Sequence, residues 1–520
     1  VLWCACSFAV APARAGPRYS SRIVDTKSGA IRGVILELNS KHLEPVEVFK
    51  AVPYATPPIG SLRFEPPKKL PPWKGTKLAD TFGSVCPQSF PDISNRTAAL
   101  LSMPKGRYQH LKRLQPLLAN QSEDCLTLNI YVPGRSRGLE APYSIFFYIH
   151  GEAYDWGSGN PYDGSVLASY GHVIVVTVNF RLGILGFLKT RASLSPGSGG
   201  NLGLMDIILA LQWVRDNIAS FGGDPKRITI VGHDTGAALA NLALISKAGK
   251  GKGIGYRAIL LSGSALSPWA LIPDPDAVRL EVSQQMACHL VPGRNGRKPT
   301  TDDITECLRD KPIEALMGVR LTSIFSAVRN EYTDWDKPIQ HPINISATAC
   351  NRLFFPPQML PVTTRGIIAF LSPQIATSPC AALTPRRAQG SVAYLHARRG
   401  AKTYMFHFGY QSKESEYPQR LGSVRGEDLP YIFGLPLVQG GPVFPQNYSR
   451  QDMGVNEAVL NFVTNFCKTG DPNEAGHQQA APLHPDYGTA KERTRFRLIT
   501  WETYETTTQQ YLSICEYTVA

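Results

Sequence analysis

Arg227-Ile228-Thr229-Ile230-Val231-Gly232-His233-Asp234-Thr235-Gly236-Ala237-Ala238-Leu239-Ala240-Asn241-Leu242 joins an apolar run of β type to an alanine-rich run of helical type through Gly232–Gly236. Strand, sharp turn and helix, in that order, are the setting of a G-x-S-x-G nucleophile elbow, whose glycines are needed because the strained turn leaves no room for a Cβ. A serine belongs at the apex of such a turn. Here the apex is Asp234.

Outward from the elbow, Ser144-Ile145-Phe146-Phe147-Tyr148-Ile149 and Val173-Ile174-Val175-Val176-Thr177-Val178 are short and almost wholly apolar. Such runs suit central strands covered on both faces. Leu202 to Phe221 carries Leu204, Ile207, Ile208, Leu211, Val214 and Ile218 at helical spacing, then stops at Gly222-Gly223-Asp224-Pro225. Ala258 to Ser262 reads as a further strand. Alternating β and α elements predict an α/β-hydrolase fold, a doubly wound and mostly parallel central sheet flanked by helices.

The 520 residues are 43% hydrophobic and 18% charged, which describes a large globular protein. No run of about 18 apolar residues occurs, the length a membrane-spanning helix would need. Residues 1–15, with Val1-Leu2-Trp3, Phe8-Ala9-Val10 and Ala13-Arg14-Ala15, read as the tail of a secretory signal peptide, leaving 16–520 as one extracellular domain. Eight of the ten cysteines follow Ala15 without zinc spacing, so disulfides are expected rather than metal. Asn95, Asn120, Asn344 and Asn447 each begin an Asn-x-Ser/Thr triplet and are expected to carry glycans. The net charge of +13 has a local source, because no Asp or Glu occurs between Asp336 and Glu414. No basic stripe interleaved with aromatic residues points to nucleic acid.

Phe49-Lys50-Ala51-Val52-Pro53-Tyr54-Ala55-Thr56-Pro57-Pro58-Ile59-Gly60 with Leu62-Arg63-Phe64, then Glu123-Asp124-Cys125-Leu126-Thr127-Leu128-Asn129-Ile130-Tyr131, then Asn179-Phe180-Arg181-Leu182-Gly183, resemble three signatures of type-B carboxylesterases and cholinesterases. Tyr162 to Gly171, Leu261 to Trp269 and the Gly-His-Asp-Thr-Gly elbow resemble the neuroligins within that superfamily, the elbow those of invertebrates. The similarity covers about 20–335 and 400–505. Residues 320–400 are atypical, as though a block of the family fold were absent. The acid-free stretch within them reads as an alternative exon, a mispredicted coding segment or a functional loop. The resemblance implies disulfides Cys86–Cys125 and Cys288–Cys307; it gives no partners for Cys350, Cys380, Cys467 and Cys515.

An ester hydrolase needs a nucleophile, a base, an orienting acid and oxyanion donors. Asp234 replaces the nucleophile, and at a helix N-terminus its carboxylate is a stable anion and a poor attacker. In the family the base precedes a Gly-acidic-x-x-x-(Val/Ile)-Phe-Gly stretch, here Gly426 to Gly434, and the residue before it is Arg425, which cannot accept a proton. A pairing of Arg425 with Asp234 is expected from the family geometry. The oxyanion loop reads His150-Gly151-Glu152-Ala153, so side chains of Glu152 and Ala153 stand where bare Gly151-like backbone is usual. The acid, sought between Leu261 and Arg425, has no recognisable loop. The enzymatic alternatives are a carboxylesterase-like activity or an aspartate nucleophile at Asp234, for which His407, His396 and His484 are the later histidines to consider.

The resemblance implies a non-catalytic adhesion protein of the postsynaptic cell surface, with a neurexin-like partner, Ca²⁺ bridging that interface, no metal or cofactor of its own, and homodimerisation through a late helix. Val455 to Lys468, with Val455, Val459, Phe462, Val463 and Phe466 near helical spacing, is either that dimer helix or a core-packing one. Membrane attachment is expected only of a longer form.

Overall fold

The computed structural model describes residues 18–514 apart from 39, 41, 135–141, 193–199, 247–256, 268, 273, 291–301, 322–365, 372–382, 446 and 475–498. Among the described residues thirteen strands form, β1 (Val24–Thr26), β2 (Gly29–Arg32), β3 (Val34–Leu36), β4 (Val46–Pro53), β5 (Thr76–Leu78), β6 (Thr127–Pro133), β7 (Tyr143–Ile149), β8 (Ile174–Val178), β9 (Gly223–His233), β10 (Arg257–Leu261), β11 (Gly366–Leu371), β12 (Thr403–Phe408) and β13 (Leu512–Ile514). Ten of them make one sheet in the order β13-β12-β11-β10-β9-β7-β8-β6-β4-β3, and β1, β2 and β5 form a small second sheet. From β13 to β8 the neighbours run parallel, while β6, β4 and β3 add an antiparallel edge. The doubly wound, mostly parallel sheet expected from the alternating elements is present.

The near-continuous apolar runs follow from burial on both faces. In β7, Phe146 and Tyr148 enter one core cluster while Ile145, Phe147 and Ile149 enter the other, and all five have no solvent exposure. The period-two alternation of a strand therefore separates two cores, and neither face can carry a charge cheaply. The charges within the signature stretches are tied into buried or half-buried pairs. Arg63 and Glu123 form a two-pronged pair at 2.7 and 2.5 Å, and Arg181 meets Asp206 in the same way at 2.8 and 2.7 Å, almost wholly buried. A fork of parallel N–H donors on a carboxylate satisfies both buried groups at once.

Both disulfides implied by the family are formed, Cys86–Cys125 and Cys288–Cys307. Cys467 is buried and forms no disulfide among the described residues, and burial pushes its thiol pKa up to about 11. Asn95, Asn120 and Asn447 are exposed. Residues 1–15, Asn344, His484, Cys350, Cys380 and Cys515 lie outside the described residues, as does most of 320–400.

The late helix spans Arg450–Thr469 and begins with a reciprocal cap between Ser449 and Asp452. Its apolar stripe needs a correction as a dimer surface. Val455, Val459, Phe462, Val463 and Phe466 are each at most 4% exposed and sit in the chain's own core. Phe462 meets Trp501 edge-on at 5.5 Å, and Phe466 meets Tyr404 at 6.2 Å. Amphipathic spacing says that a stripe is covered but not by what, and here the sheet covers it.

Candidate functional site

The site is built where β9 turns into the helix Thr235–Ile245. Asp234 occupies the apex at φ 57°, ψ −122°, a backbone conformation costly for a residue with a Cβ. The flanking glycines make it possible: a Cβ on Gly232 would lie 2.1 Å from the carbonyl oxygen of Gly236, and one on Gly236 would lie 2.2 Å from that of Ile149. The strained elbow is formed with an aspartate at its apex.

The loop facing the elbow, Gly151 to Tyr154, keeps its N–H groups turned toward the apex. Glu152, Ala153 and Tyr154 hold φ of 87°, 57° and 60°, the left-handed backbone that glycines would adopt without strain. The N–H groups of Glu152 and Ala153 converge, and both donate to Oδ2 of Asp234, at 3.1 and 3.3 Å. The carboxylate thus sits where a substrate oxyanion would be received. A second correction concerns the helix N-terminus, because the Asp234 side chain makes no capping bond to its own helix. Its donors come from the facing loop.

Arg425 completes the neutralisation. Its Nη2 lies 3.0 Å from Asp234 Oδ2 and 3.6 Å from Glu152 Oε1, with side chains 7%, 1% and 13% exposed respectively. Glu152 also accepts from Arg107 Nη2 at 2.8 Å. Asp234, Arg425, Glu152 and Arg107 make a ladder of alternating sign. Burial would raise the Glu152 carboxyl pKa, but the Arg107 and Arg425 guanidiniums hold it well below the usual carboxylate range. The expected pairing of Arg425 with Asp234 is present, and Glu152 turns its charge into the ladder.

The other histidines stand elsewhere. His407, in β12, places Nδ1 3.0 Å from Ser513 Oγ and its ring against Tyr511 at the sheet edge. His396 is buried, and desolvation lowers its pKa to about 4. The sequence reading gave no role to His233, which lines the cleft beside Arg425 and is 2% exposed. It also gave none to Arg107, whose tie to Glu152 no local pattern announces. Among the described residues no group of three or more His, Cys, Asp or Glu side chains is placed to hold a metal ion, and no helix is long and apolar enough to cross a membrane.

Glu427 lines the same cleft and accepts hydrogen bonds from Ser415 Oγ and from the N–H of Val424 at 2.9 Å. Burial outweighs these bonds and pushes its carboxyl pKa up to about 7. A raised carboxyl pKa means that the folded chain binds the proton more tightly than the unfolded chain does. The stabilisation is therefore fully present below about pH 4.5 and is lost as pH rises through about 7, by on the order of 3 kcal/mol. Unfolding measured between pH 5 and 8 is expected to show this decline in the parent protein and a flatter profile in Glu427→Gln. Equal slopes for the two proteins would rule out Glu427 as the titrating group.

The carboxylesterase family model matches residues 20–356 and 388–519, so its interruption falls inside the acid-free stretch. Neuroligin-2 of Homo sapiens is 31% identical over 565 positions, covering 95% of this chain and 65% of that protein. Neuroligin-3 of Mus musculus is 32% identical, covering 96% and 67%. Neuroligin-1 of Caenorhabditis elegans is 30% identical, covering 88% and 66%. The chain spans about two thirds of the length of the curated relatives it matches. The 565 aligned positions exceed its own 520 residues, so the relatives carry segments that it lacks.

Proposed function

This chain belongs to the carboxylesterase family and, within it, to the neuroligin-like proteins; we propose that it is a non-catalytic, cholinesterase-like cell-adhesion protein that binds a neurexin-type partner at the synaptic cell surface. The observation that carries the non-catalytic half is the Asp234 carboxylate itself. It occupies the oxyanion donors and is clamped by Arg425 at the position of the base. A nucleophile that fills its own oxyanion hole can neither attack nor leave donors for a transition state, and loss of such a serine alone costs roughly a millionfold in turnover.

The neuroligin likeness supports the neurexin-type partner. Ca²⁺ enters only as a bridge at that interface, and no contact to it is assigned. Homodimerisation through the late helix would have to use Met453, Glu457, Asn461 and Lys468, its half-exposed strip, because the apolar stripe is buried. Glycans at Asn95, Asn120 and Asn447 belong to the same extracellular reading.

Retention of purified protein on neurexin-displaying cells is expected to require Ca²⁺ and to reverse with a chelator. A folded protein that is not retained would remove the adhesion assignment. Chromogenic-ester hydrolysis is expected at the uncatalysed rate, and turnover abolished by Asp234→Asn would instead establish an aspartate-nucleophile enzyme.

A further inference from the structure

The small sheet ends at β5, which pairs with β2 on one side and, among the described residues, with no strand on the other. The N–H of Ala79 donates to the Arg32 carbonyl at 2.8 Å, and this bond sets the phase of the parallel ladder. Lys77 and Ala79 turn their N–H groups inward to β2, so Thr76 and Leu78 turn theirs to the open edge. All three residues of β5 are exposed, Leu78 by 58%. An open edge with an exposed apolar side chain is a template for one more strand.

The edge is charged as well as open. Between Glu65 and Asp80 the chain carries Lys68, Lys69, Lys74 and Lys77 and no acid. None of the four meets a carboxylate among the described residues. Lys77 instead lies 4.5 Å over the Trp73 ring. Lys50, whose N–H donates to the Ala79 carbonyl at 2.9 Å, lies 4.6 Å over the Phe82 ring and adds a further cation beside the strand. Of the acids in this region, Asp80 is tied to the Tyr19 hydroxyl at 2.8 Å, and Asp25 lies on β1, beyond β2. A second copy of the edge would set lysine against lysine, so the charge opposes self-pairing and favours an acidic strand. A polyanion would answer the lysines but not the outward C=O groups, whereas an extended peptide answers both.

We propose that β5 is a docking edge for an acidic, extended segment of a partner protein, which adds as a strand beside Thr76 and Leu78 with its carboxylates against Lys74 and Lys77. The assignment rests neither on neurexin binding nor on the chemistry at Asp234. Fluorescence anisotropy of the intact chain with a labelled eight-residue peptide of alternating glutamate and valine tests it. That peptide is expected to bind about tenfold more tightly than its lysine–valine counterpart, and about tenfold more tightly than a copy N-methylated at every residue, which keeps the charge and loses the donors. Lys74→Glu with Lys77→Glu, at exposed positions, is expected to weaken binding about tenfold, because attraction becomes repulsion at two places. Equal binding of the N-methylated peptide, with displacement by dextran sulfate, would make the patch a polyanion surface instead. That outcome, no binding of the acidic peptide, or an unchanged affinity in the folded lysine variant would each overturn the proposal.

Discussion

Arg425→Ala is expected to destabilise the fold by about 3–5 kcal/mol, because it strips the shared cation from two buried carboxylates. Asp234 and Glu152, 1% and 13% exposed, would then face one another with only Arg107 to offset them. The cost is that of stranding charge, not the net worth of the bridge. Removing both ends should therefore be milder. Asp234→Asn keeps a side chain that tolerates positive φ and deletes one negative charge, so Asp234→Asn with Arg425→Met is expected to recover most of the loss. Urea unfolding of the parent, Arg425→Met, Asp234→Asn and the double variant closes the cycle, with Arg425→Ala measured beside them. A loss below about 1 kcal/mol for Arg425→Ala would mean that the ladder is solvated and that its burial has been misjudged.

Replacing Cys86 and Cys125 together by serine is expected to cost about 4 kcal/mol, compared with about 3 for Cys288 and Cys307, since the first bridge closes the longer loop. The sequence separations are 39 and 19. The longer loop carries the helices Arg96–Ser102 and Lys105–Leu114. The second of these sends Arg107 to Glu152 and Arg113 to Glu416. With the bridge gone, those two ion pairs remain, together with the hydrogen bonds between Gln88 and Gly157 and the burial of Leu111 and Leu114. Hydrogen exchange is expected to rise first within 87–124, at denaturant concentrations where the sheet is still protected. If the two double variants rank in the opposite order, loop closure is not what the bridges supply.

The frame of the molecule was legible because it rests on patterns of short range. The apolar runs of β7 and β8, the helical spacing after Leu202 and the two glycines of the elbow each state a local geometry that the fold then uses. The carboxylate at residue 234 and the guanidinium at 425 were readable as chemistry, since the first is a poor attacker of esters and the second cannot accept a proton. The direction taken by the Glu152 side chain was not legible: it turns to Arg107 and Arg425 while its N–H donates to Asp234. The stripe from Val455 to Phe466 was ambiguous for another reason, because a helix face carries no label for the surface that covers it.

The sequence by itself determined the central strands around the elbow, the helix after Leu202, and that a sharp turn with a carboxylate at its apex stands at Asp234. Only the tertiary structure decided where the orphaned negative charge is answered. Coulomb attraction and hydrogen bonding act over a few ångströms, and Asp234, Glu152, Arg425 and Arg107 come within that range only after β7, β9, the 86–125 loop and the segment after β12 have packed together.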